Sequence, residues 1–80
     1  MVKSNQQITF RIVPEEDEES GYGWREFQCI EHPKFTVQEE IVEKIFAVNE
    51  WDENEFCIRH RGIFKSWKAA TAKVQSLIAA

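Results

Sequence analysis

The stretch TVQEEIVEKIFAVN, residues 36–49, decides how the chain is assembled, because it is the longest segment with a regular apolar period. Val37, Ile41, Val42, Ile45, Phe46 and Val48 recur at helical spacing, while Gln38, Glu39, Glu40, Glu43 and Lys44 fall away from that stripe. Thr36 followed by Glu39 has the form of a capping box, in which hydroxyl and carboxylate each satisfy a free backbone N–H at a helix start. Three glutamates near the N-terminus suit the helix dipole, and Asn49 can close the helix in the left-handed conformation. The spacing predicts a helix over 36–49.

On the N-terminal side, residues 7–13 alternate, with Ile8, Phe10 and Ile12 on one face and Thr9, Arg11 and Val13 on the other. This period of two predicts a strand that stops at Pro14, which has no N–H to give a ladder. The acidic run Glu15, Glu16, Asp17, Glu18 and Glu19, followed by Gly21 and Gly23, reads as a solvated hairpin loop. A second strand is expected over 24–31, with Phe27 and Cys29 on one face, Gln28 and Ile30 on the other, and His32–Pro33 as its end. The alternation does not say which of those faces points inward.

On the C-terminal side, EWDENE (residues 50–55) is a polar turn, after which Phe56 and Ile58 face one way and Cys57 and Arg59 the other in a short third strand. Gly62 permits a bend. Ser66 is a natural N-cap for a second helix whose stripe is Trp67, Ala70, Val74, Leu77 and Ile78. With the helix over 36–49 as a right-handed crossover, the third strand runs parallel to the second. The expectation is an α+β fold: a two-layer sandwich in which a three-stranded sheet, an N-terminal hairpin plus one strand, is covered by two helices in the order β-β-α-β-α. Phe56, Ile58 and Trp67 are expected in its core.

Eighty residues suffice for one domain with a thin core, residues 1–6 being expected to be flexible. The aromatic content opposes disorder. No apolar run approaches the length of a membrane span, and the polar start MVKSNQQ lacks the layout of a signal peptide, so a cytoplasmic protein without membrane contact is expected. Cys29 and Cys57 are then expected to be reduced thiols.

Two stretches echo each other, WREFQCIEHPKF (24–35) and WDENEFCIRHRGIF (51–64), and each carries a C-x-x-H pair: Cys29 with His32, Cys57 with His60. Thiolate and imidazole are zinc ligands, and four in a tetrahedron would staple a small core. Residues three apart in a strand point to opposite faces, however, and the separation of the pairs matches no familiar zinc module. No cofactor or metal is assigned on that basis. A Cys/His nucleophile would need an orienting third group and an oxyanion site, for which no residues stand out, and a domain this thin has little room for a pocket. Catalysis is not expected.

Charge is the remaining signal. Residues 1–58 hold all 14 acidic residues and five basic ones, whereas 59–80 hold Arg59, Arg61, Lys65, Lys68 and Lys73 and no acid. Cations at a helix start oppose the dipole, so Arg59, Arg61, Lys65 and Lys68 mark a candidate surface for an anionic partner, unless carboxylates of the chain itself neutralise it. Overall acidity disfavours nonspecific attraction to phosphates. The expected function is that of a small non-catalytic binding or regulatory module, acting through a bipolar charged surface on a protein partner, with self-association as a further route. The alternative is a nucleic-acid-binding domain using the same basic corner.

Overall fold

The computed structural model describes residues 8–13 and 23–80. They form strands β1 (Phe10–Ile12), β2 (Trp24–Cys29), β3 (Phe35–Glu40), β4 (Ile45–Asp52) and β5 (Cys57–Phe64), followed by helix α1 (Trp67–Ala79). The strands lie in chain order in one five-stranded sheet, and every neighbouring pair is antiparallel. The expected three-stranded sheet under two helices is therefore overturned, as is the parallel crossover. The acidic run at 15–19, Pro14, Gly21 and the N-terminal residues 1–6 lie outside the described residues.

The correction comes from residues 36–49, which form not a helix but most of a β-hairpin. Val37 pairs with Val48, Gln38 with Ala47 and Glu39 with Phe46 across β3 and β4. Thr36, Val37, Ile41, Val42, Ile45 and Val48 are β-branched, and such side chains lose χ1 freedom in a helix but pack well on a pleated surface. Between the strands, residues 41–44 make a four-residue turn closed by the Lys44 N–H donating to the Glu40 carbonyl at 2.7 Å, with Lys44 at φ 59°. Val42, assigned by its spacing to the apolar stripe, is 78% exposed on this turn. The short connections 30–34, 41–44 and 53–56 then make each of β3, β4 and β5 pair antiparallel with its predecessor.

One face of the sheet carries the core. Cys29, Phe35, Val37 and Val48 are buried there against Ala70 and Val74 of α1, with Phe10, Phe27, Phe46, Phe64, Leu77 and Ile78 packed around them. The inward face of β2 is thus the one bearing Phe27 and Cys29. Trp67, at the first position of α1, meets the rings of Phe27, Phe10 and Phe46 edge-on at centroid distances of 4.9, 5.2 and 6.1 Å. Such rings combine large buried area with favourable edge-to-face geometry, so this cluster seats the helix start on the sheet. Ser66 caps α1 as its position predicts, its Oγ accepting from the Ala69 N–H at 3.1 Å.

The third predicted strand is real but longer than expected. It runs straight through Gly62, where Arg61 is an extra residue between the pairs Val48–Gly62 and Asn49–His60, forming a β-bulge. Gly62 has φ 138°, and a Cβ there would lie 2.9 Å from the Phe64 ring. The ring of Phe64 occupies the space a side chain would need. Phe56 and Ile58, expected in the core, are 74% and 66% exposed: Phe56 lies in the turn before β5, and Ile58, opposite Trp51 and two residues from His60, is on the face of the sheet away from α1.

Candidate binding surface on the β4–β5 hairpin

The end of the β4–β5 hairpin is built around Asp52. Its Oδ1 accepts from the backbone N–H of Asn54 at 2.9 Å and of Glu55 at 3.2 Å, closing the turn over residues 53–56. Phe56 then takes a left-handed φ of 54°, and its ring stacks on Trp51 at 5.9 Å. Trp51, Phe56, Ile58 and Ile63 are all exposed. β5 is the outermost strand of the sheet, and among the described residues nothing pairs with its outer edge.

The two arginines of the predicted basic surface are not free. Arg59 Nε donates to Asp52 Oδ2 at 2.7 Å, and Arg61 Nε donates to Glu50 Oε1 at 2.8 Å, both across the hairpin. Lys34 Nζ reaches the other Glu50 oxygen at 3.2 Å and lies 5.2 Å from the centre of the Phe35 ring. The hydrogen bond from Arg59, with help from the turn amides, lowers the Asp52 carboxyl below the usual range, and the same bond raises Arg59. At Glu50, partial burial pushes the carboxyl upward, but hydrogen bonds and charge from Arg61 and Lys34 outweigh it and the net shift is downward. Among the described residues the carboxylates that pair with these arginines come from β4.

Lys65 and Lys68 differ in character. Both are exposed, and among the described residues neither side chain makes an ion pair or hydrogen bond. The first turn of α1 contains no acidic residue. Six residues of mostly extended chain separate Arg59 from Lys65, on the order of 20 Å, so no single small anion spans the four predicted cations. The structure divides them into two ordered, paired arginines and two unpaired lysines.

The C-x-x-H pairs do not converge. Cys29 ends β2 on the covered face, where burial pushes its thiol up, while Cys57 opens β5 and is exposed; both are free thiols. His60 pairs in register with Asn49 and shares its face of the sheet, opposite the core. Among the described residues no group of three or more His, Cys, Asp or Glu side chains is placed to hold a metal ion. The echo also loses its basis as a repeat, since its first copy covers β2 and a turn and its second covers the end of β4, a turn and β5.

No protein-family model, curated protein or solved structure matches the chain, so its own geometry is what speaks to function. Among the described residues no helix is long and apolar enough to cross a membrane. Two features were missed in the sequence. Glu50 and Asp52 are two apart, as are Arg59 and Arg61, and such matched spacing on either side of a polar turn is the mark of cross-strand pairing. Gln38 and Glu40 fit the polar side of the expected helix and Thr36 its cap, though the alternation of the three equally marks the solvent face of a strand.

Proposed function

We propose that the chain is a small, non-catalytic module that binds a protein partner through the β4–β5 hairpin. The observation that carries this reading is the eight-residue outer strand β5, whose edge is unpaired among the described residues while Ile58 and Ile63 are 66% and 59% exposed on it. An edge of this kind offers main-chain hydrogen bonds to an added strand, and flanking apolar side chains give the added strand something to pack on. Arg59 and Arg61, fixed by Asp52 and Glu50, present their remaining donors in a set geometry, and Lys65 and Lys68 extend the cationic side. A partner segment that is extended and acidic would suit this surface.

The nucleic-acid alternative gains less support. A phosphate approaching Arg59 or Arg61 meets Asp52 and Glu50 at the same guanidinium groups, and of the four predicted cations Lys65 and Lys68 alone make no ion pair among the described residues. Affinity capture with the wild-type chain and with an Ile58→Ser/Ile63→Ser variant, followed by titration of each purified recovered protein, tests the main reading. The expected result is a partner lost with the variant and regained by neither salt nor concentration. Equal capture by both chains, or low-salt binding to RNA or DNA abolished by Lys65→Ala/Lys68→Ala, would replace it.

A further inference from the structure

The face of the sheet opposite α1 holds a site of a different kind. Register places Arg11, Gln28, Thr36, Asn49 and His60 opposite one another in one row across all five strands. Above the middle of this row lies an open cavity of about 920 Å3, lined by Gln28, Thr36 and Asn49 on its floor, Glu26 and Gln38 on one side and Trp51 and Ile58 on the other. Glu26 and Gln38 are themselves register partners. The Thr36 hydroxyl, the Asn49 amide and the Glu26 carboxylate are half-buried and make no side-chain hydrogen bond or ion pair among the described residues. Polar groups so placed retain hydrogen-bonding capacity that a ligand can take up.

We infer that this groove binds a short neutral oligosaccharide. A sugar hydroxyl is donor and acceptor at once, and the groove matches that with the Asn49 amide, the Thr36 hydroxyl and the Glu26 carboxylate, while the Gln28 amide between them is held by Arg11 and the Pro33 carbonyl. The indole of Trp51, 42% exposed although the Phe56 ring stacks on it, supplies apolar surface for the face of a pyranose ring. Polyanions are disfavoured, because Glu26 and Glu53 carry uncompensated charge at the groove and its one cation, Lys34, is held by Glu50. An extended peptide is disfavoured as well, since the floor has no apolar pocket for alternate side chains. From Gln28 to Asn49 the floor crosses three strands, about 10 Å, the length of about two sugar rings. This groove lies on the open face and shares Ile58 with the β5 surface, whereas Thr36 and Asn49 belong to the groove alone.

The test is an amide-resolved NMR titration of the whole chain with cello-, chito-, malto- and manno-tetraose at millimolar concentrations. The inference expects at least one sugar to shift the side-chain amides of Gln38 and Asn49 and the indole N–H of Trp51, with affinity reduced about tenfold or more by Asn49→Ala and by Trp51→Ala. Asn49→Asp and Trp51→Phe serve in their place if either alanine variant loses its dispersed spectrum. Absence of shifts with all four sugars overturns the inference, as do shifts that survive both substitutions. A lysine-rich peptide that moves these resonances while the sugars do not would assign the groove to a protein ligand and equally overturn it.

Discussion

Asp52 joins strand to turn through its two oxygens: Oδ2 accepts from Arg59 Nε at 2.7 Å, while Oδ1 accepts from the N–H groups of Asn54 and Glu55. One carboxylate therefore orders the hairpin tip and fixes the guanidinium above it. The two roles separate by mutation. Asp52→Ala should speed hydrogen exchange at the amides of Asn54 and Glu55, whereas Arg59→Ala should leave those amides protected. Equal loss of protection in both variants would mean that the ion pair, not the turn, holds the tip.

Glu31 makes the analogous clamp at the other side of the sheet. Its carboxylate accepts from both the N–H and the hydroxyl of Thr9, and these hydrogen bonds lower its pKa from 4.5 to about 2. A carboxyl depressed in the folded state contributes stability that is complete above the unfolded value and is lost as pH falls through the folded one. Stability should therefore decline between about pH 4.5 and about pH 2, with Asp52 and Glu50 adding in the same direction. Urea titrations across this range check it: Glu31→Gln should flatten the slope, and an unchanged slope would assign the acid sensitivity elsewhere.

Gly62 sits in the bulge of β5 at φ 138°, with the Phe64 ring where its Cβ would be. Gly62→Ala adds both a strained backbone and a clash at 2.9 Å, so a loss of about 1–3 kcal/mol is expected by denaturant unfolding. The Phe64→Ala change should cost stability alone, yet the double variant should fall short of the sum, since removing the ring removes the clash. Strict additivity would leave backbone strain as the whole effect.

What was legible in the sequence follows from how local its cause is. Ser66 and the stripe from Trp67 to Ile78 were readable because a cap and a helical period are encoded within a few residues. The strands around Phe10, Phe27 and Ile58 were readable by alternation. Residues 36–49 were misread because Val37 and Val48 meet across a turn, and the apolar residues of that turn filled in a helical period. The ion pairs of Arg59 and Arg61 depend on β4 carrying Glu50 and Asp52 beside them, and a helix over 36–49 conceals the matched spacing that marks them.

The turn that hid this hairpin also yields its own test. Both four-residue turns end on a left-handed residue that is not glycine, Lys44 at φ 59° and Phe56 at φ 54°, so neither carries at that position the Gly or Asn that signals a hairpin in sequence. Holding an L-residue there costs roughly 1–2 kcal/mol, whereas glycine adopts the conformation freely but gives up more unfolded-state entropy. At Lys44, an exposed residue, the balance favours glycine: Lys44→Gly should stabilise the chain by about 0.5–1 kcal/mol in denaturant unfolding. Lys44→Ala keeps the steric cost and should bring no such gain. At Phe56 glycine would relieve the same strain but remove the ring stacked on Trp51, so Phe56→Gly should gain less than Lys44→Gly or nothing. If Lys44→Gly and Lys44→Ala prove equal, the left-handed residue is not what limits this hairpin.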